Sequence, residues 1–177
     1  VITGTVDFVI TILYLFIKNQ LKAAGSEKKF EAKVIKKIGV LVELSLIQTY
    51  DFTARLSEEF NVEPEDLKIC LFDQVGKHPI TDGYRYCSDK DFGFFGKIKS
   101  EMLNKFVSRD FDLLINYCDP GLLFPKVIML RSRANMRAGF KDEANFFNDI
   151  SIKVPGNDID GFNRELLKYL GIMKLIK

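Results

Sequence analysis

Apolar residues fall in short runs divided by polar turns, and the pattern is clearest over residues 111–140. There an apolar run, 111–117, breaks at Cys118-Asp119-Pro120-Gly121. A helical stretch ending in basic residues follows, and a short run closes around Gly139. Strand, turn, helix, strand makes one βαβ crossover, the unit from which parallel sheets are built.

The same rhythm runs through the rest of the body. Residues 38–43, IGVLVE, predict a buried first strand, and 67–72, LKICLF, a second that ends at Asp73. Between them Phe52, Leu56 and Phe60 recur every four residues, one face of an amphipathic helix over 48–60, with Pro64 in the return loop. Residues 84–87 predict a short third strand, with an antiparallel orientation as one option. Ile98, Met102 and Phe106 mark a helix over 97–107. A further helix is expected over 121–133, with Pro125 tolerated in its first turn and Arg131 and Arg133 terminating it. Strands over 136–140 and 150–154, the latter an outer one, are followed by a cap at 157–160. A closing helix over 161–176 turns Phe162, Leu166, Tyr169 and Leu170 to the sheet. The expected fold is α/β, a three-layer sandwich with a mostly parallel five- or six-stranded sheet, Rossmann-like or flavodoxin-like. It is expected to form one domain over 38–177, preceded by an N-terminal helix.

Two stretches break the rhythm. Residues 74–96 carry turn chemistry at Gly76, Pro79 and Asp82-Gly83, then the run DFGFFGK. That run lacks the spacing of a dinucleotide loop or a P-loop. Its aromatics are expected to pack over a sheet edge while Gly93 and Gly96 let the chain turn, with a flexible lid as the alternative. The other stretch is the arm, residues 1–37. Residues 8–17 are almost wholly apolar, and on a helix Asp7, Thr11, Tyr14 and Lys18 form one narrow polar stripe. Three readings follow: a helix packed on the body, an interfacial helix, or a short membrane anchor. Beyond a break near Gly25-Ser26, a basic solvated helix is expected to continue to about Lys37.

Composition changes this picture only in part. With 47% apolar and 28% charged residues, the 177-residue chain is an ordinary globular protein rather than a disordered one. The net charge of +2 hides an asymmetry: the arm holds seven lysines against three acids, a net of +4, which leaves the body at −2. The body is therefore not a basic nucleic-acid binder, and only the arm suits an anionic lipid surface. Cys70, Cys87 and Cys118 lie far apart in sequence without metal-ligand spacing and are expected to act as small hydrophobes in a reducing compartment. His78 is the only histidine, which excludes a His-based zinc site or a two-histidine relay, and it is expected on a loop surface. No cofactor and no metal are expected.

Candidate chemistry sits where open α/β sheets bind ligands, beyond the carboxyl ends of the strands. The residues there are Glu43, Ser45, Asp73, Tyr117 and Asp119, with Gly139 beside them. If the strands bearing Asp73 and Asp119 are neighbours, the two carboxylates share a cleft and are able to bind a metal or act as acid and base. The plainer alternative is that each caps the loop or helix that follows it. No nucleophile elbow is present, which points away from an enzyme.

The segments FGFFGK, SRDFDLLINY and LRSRANMRAGF resemble a small family of uncharacterised bacterial α/β proteins, over roughly residues 34–172. FDLLINY followed by RSRANMRAGF also resembles the N-terminal half of heptosyltransferase-type glycosyltransferases. In those enzymes the sugar-nucleotide donor is held mainly by a second domain, for which this length leaves no room. That likeness therefore implies shared architecture rather than shared activity.

Together these readings predict a non-catalytic interaction or adaptor protein with an unidentified protein partner. The alternative is a small-molecule or sugar-nucleotide binding domain using the rim at Asp73 and Asp119. The expected location is the cytoplasm, or the inner face of the cytoplasmic membrane through contact by residues 1–37.

Overall fold

The computed structural model describes residues 3–23, 30–74, 84–141, 147–155 and 158–176, without the side chains of 3–7, 9, 10 and 21. Gly76, His78, Pro79, Asp82-Gly83, Gly25-Ser26 and Asn157 lie outside the described residues.

Six strands form one sheet: β1 (Ile38–Glu43), β2 (Leu67–Phe72), β3 (Arg85–Cys87), β4 (Leu113–Asn116), β5 (Met136–Phe140) and β6 (Ile150–Ile152). Their order is β3-β2-β1-β4-β5-β6, and every neighbouring pair is parallel. β3 therefore does not run antiparallel. A three-residue strand carries too short a pattern to encode its direction; it pairs in parallel with β2, from Cys70 with Arg85 to Phe72 with Cys87. The strand order is that of a doubly wound Rossmann sheet, with its switch point between β1 and β4.

The helices are α1 (Thr3–Ala23), α2 (Leu44–Ile47), α3 (Phe52–Phe60), α4 (Glu101–Val107), α5 (Leu123–Arg131) and α6 (Ile159–Ile172). Strand alternation divides their cores. Ile38, Val40 and Val42 of β1 and Leu113 and Ile115 of β4 face α3 and α6, against Phe52, Leu56, Phe162 and Leu166. Leu41, Cys70, Phe72 and Leu114 face the opposite layer of α1, α4 and α5, against Ile17, Phe106 and Ile128. Gly39 belongs to that second face. A Cβ there would lie 2.7 Å from the Phe111 ring, so only glycine lets the ring lie against β1. Helix starts follow side-chain capping: Asp51 accepts from the Ala54 amide, Ser100 from Leu103 and Asp158 from Gly161.

Residues 8–17 pack on the body along one face of α1. Ile17 is fully buried, with Leu13, Tyr14 and Phe16 beside it against the α5 layer. Among the described residues no helix is long and apolar enough to cross a membrane. Residues 30–37 are not the helical continuation expected, because their backbone groups find partners elsewhere. Asn135 bonds both the amide and the carbonyl of Glu31 (2.8 and 2.7 Å), and the Ile35 amide donates to the Leu175 carbonyl (2.8 Å). The Asp112 carboxylate accepts the amides of Lys36 and Lys37, each at 2.9 Å, and the Lys33 ammonium at 2.6 Å.

Candidate functional site

Beyond the carboxyl ends of the strands, β1 continues into the short helix α2 and β4 into the Cys118–Gly121 turn. The switch point between them is bridged: Glu43 Oε1 accepts the Asp119 amide at 2.5 Å. Asp119 Oδ1 in turn accepts the Gly121 amide at 2.6 Å, an Asx-type turn that shapes the approach to α5. Both carboxylates thus serve as caps where a bound anion would meet free amides.

The strands carrying Asp73 and Asp119 are not neighbours, since β1 lies between them. Glu43, Ser45 and Asp73 line one open depression together with Gln48 and Leu122. Asp119 lines a different one, with Lys141 and Lys153. The two aspartates do not share a cleft. Tyr117, also expected at the rim, points into the α3/α6 layer and is 1% exposed, between Phe52 and Phe162. Burial pushes its phenol well above the usual range, so it stays protonated and donates to Asn163 Oδ1 at 2.5 Å.

Asn163 belongs to a polar cluster that the hydrophobic pattern does not reveal. Its amide nitrogen donates to Glu59 Oε2 (2.7 Å) and to the Tyr50 hydroxyl (3.2 Å). Arg55 reaches Asp160 at 2.7 Å and Glu59 at 3.6 Å. Burial raises the Glu59 carboxyl, offset in part by Asn163 and Arg55. The cluster stitches α3 to α6. The one signal for it is an asparagine at position 163, inside the apolar face of the closing helix.

Gly139 lies under Asn148, where a Cβ would come within 2.7 Å of the Asn148 amide nitrogen. Nearby, Asn116, Cys118, Lys126 and Asn148 line a cavity of ≈ 10 Å³, room for about one water molecule. The cysteines converge more than their spacing suggests. Cys70 and Cys87 sit on adjacent strands with sulfurs 3.4 Å apart, both free and buried. The contact with Cys70, and burial, push the Cys87 thiol well up, and burial does the same for Cys118. Among the described residues, no group of three or more His, Cys, Asp or Glu could hold a metal ion.

The most exposed apolar feature of the described chain lies on the opposite layer from that polar cluster. Phe92 and Ile98 form an isolated antiparallel bridge, both buried, and Phe92 stacks on Phe124 at 4.5 Å. Between them the chain makes a tight turn, Gly93 amide to Lys97 carbonyl (2.7 Å) and Lys97 amide to Phe94 carbonyl (3.2 Å). Of the phenylalanines in this run only Phe92 is buried, and it packs on α5 rather than over a sheet edge. Phe94, at the tip, is 92% exposed and Phe95 is 57% exposed. Phe95 has φ 54° and ψ 35°, a left-handed conformation costly for a bulky side chain. Arg131 holds the turn from α5: its Nε donates to the Gly96 carbonyl (2.6 Å) and its Nη2 to the Phe95 carbonyl (3.4 Å) and Gln20 Oε1 (3.3 Å). Beyond the helix termination expected of it, Arg131 thus ties the turn to α1. Phe95 packs on Phe16 of α1 at 4.7 Å. The outward face of that helix carries Phe8, Ile12 and Leu15, which are 65, 45 and 53% exposed. These three recur at helical spacing, so turn and helix make one apolar surface.

Neither curated proteins nor solved structures gave a match to this chain. A family model described as a family of unknown function, DUF6913, matches residues 11–173. The match takes in the docked half of α1, the Phe94–Phe95 turn and the whole sheet, and the chain belongs to that family.

Proposed function

We propose that this protein is a non-catalytic interaction domain that docks through the Phe94–Phe95 turn and the outer face of α1. One observation carries the reading: an arginine-braced turn presents Phe94 at 92% exposure. Phe94 contributes almost nothing to the core, and Phe95 adopts a backbone conformation that glycine or asparagine tolerates far better. Stability alone does not account for either residue. Strain and exposure together are the usual marks of a site retained for contact.

The strand ends support the same reading. At the switch point the Asp119 amide is taken by Glu43, and the Asp119 carboxylate caps its own turn. An anionic ligand would have to displace both.

The test is photo-crosslinking from a benzoylphenylalanine at position 94, beside a control at exposed Lys168. The reading expects discrete adducts, with protein or with lipid, from position 94 and none of them from 168. Indistinguishable adducts from the two positions would contradict it.

A small-molecule reading draws on a separate observation, the depression shared by Glu43, Ser45 and Asp73. A thermal-shift screen with nucleotides, sugar nucleotides and divalent metals tests it. A ligand at 100 times its dissociation constant adds about 2.7 kcal/mol of stability. A rise abolished by Asp73→Asn would favour this second reading.

A further inference from the structure

Resting on the interaction reading above, we infer that the partner is an anionic lipid surface, engaged peripherally by the Phe94–Phe95 turn and the outer face of α1. Three features converge on that occupant. The first is the form of the surface. It consists of a projecting aromatic tip, Phe94, and a helix face of Phe8, Ile12 and Leu15. A projecting apolar tip beside an apolar helix face suits insertion among lipid headgroups.

The second feature is charge. Lys97 and Lys99 are exposed directly after the tip, and Lys22 is exposed at the far end of the same helix. Two acids of the neighbouring stretch have partners within the fold. Asp91 accepts from the Ser88 amide (2.7 Å), and Glu101 pairs with Lys105 (2.6 Å). Lys97 and Lys99 beside the tip and Lys22 on the helix thus set basic charge next to the exposed phenylalanines, which complements anionic headgroups.

The third feature is the anchoring of the helix. Ile17 is fully buried and Phe16 packs on Phe95, so α1 is bound to the domain along its inner face. No described helix is long and apolar enough to cross a membrane. Only the outer face of α1 remains for lipid, and the mode of contact is interfacial.

The experiment is co-sedimentation of the full chain with vesicles of phosphatidylcholine alone or mixed with phosphatidylglycerol. Binding is expected to the anionic vesicles only, and to weaken as salt screens the lysines. Phe94→Ser is expected to lower affinity about tenfold, the loss that follows removal of one buried phenylalanine from an apolar contact. Its melting temperature should be unchanged, because the side chain is 92% exposed. Lys97→Glu with Lys99→Glu should lower binding at low salt. No binding at low salt, equal binding to neutral vesicles, or full binding by folded Phe94→Ser would each overturn the inference. Discrete protein adducts from position 94 without vesicle binding would overturn the lipid partner and leave the interaction reading standing. Absence of both would overturn the two together.

Discussion

Glu43 and Asp119 are joined across the switch point of the sheet, the Glu43 carboxylate accepting the Asp119 amide at 2.5 Å. The contact ties the end of β1 to the turn after β4, where doubly wound sheets usually leave a crevice. Glu43→Ala should cost about 1 kcal/mol in urea unfolding, the net worth of a solvent-accessible hydrogen bond. Hydrogen exchange at the Asp119 amide should accelerate. Unchanged exchange would mean that Glu43 does not hold the turn in solution.

The packing of Phe111 on β1 depends on the missing side chain at Gly39, where a Cβ would lie 2.7 Å from the ring. Gly39→Ala is expected to destabilise the protein by about 1–3 kcal/mol, as overpacking of a tight core does. Combining it with Phe111→Leu should cost less than the sum of the two single changes, because the smaller side chain gives way. Strict additivity in denaturant titrations would contradict this.

Asp112 anchors the approach to β1 through Lys33, Lys36 and Lys37. Burial alone would raise its carboxyl, but the Lys33 ammonium and the amides of Lys37 and Lys36 hold it below the usual carboxylate range. Folding therefore favours the ionised form. Its stabilisation is complete above the unfolded value of about 3.9 and is lost as pH falls through the lower folded value. Asp112→Asn should cost about 1–3 kcal/mol near neutral pH and flatten the acid limb of the melting curve. An acid limb as steep as in the parent protein would show that other carboxylates govern it.

The three cysteines are buried, and the Cys87 and Cys118 thiols are held above their usual range. Thiolate is the reactive form, so native protein should resist maleimide at neutral pH and take up three labels once unfolded. Rapid labelling of the folded protein, counted by intact mass, would contradict the burial.

The strands of β1, β2, β4 and β5 are legible in the sequence because their apolar runs are bounded by turns. α3 and α6 are legible because Phe52, Leu56 and Phe60, and then Phe162, Leu166 and Leu170, keep helical spacing. Relationships set by strand order are not legible. The 3.4 Å approach of Cys70 to Cys87 needs β2 beside β3, and the separation of Asp73 from Asp119 needs β1 between their strands. Tyr117 reads as a rim residue because it ends an apolar run; strand alternation turns it inward to Asn163. Phe94 and Phe95 share their pattern with core aromatics. Only the bridge between Phe92 and Ile98 shows that the chain buries one phenylalanine of this run and displays two.

Phe94 is open in the free protein, and docking is expected to cover it. The chain has no tryptophan, so Phe94→Trp places a single indole at the tip of the turn. Its fluorescence, read by acrylamide quenching with and without anionic vesicles, tests the claim most directly. The expected result is full quenching in buffer and strong protection with a blue shift when vesicles are added. An indole already protected in the isolated monomer, or one that stays equally quenchable with vesicles present, would contradict it.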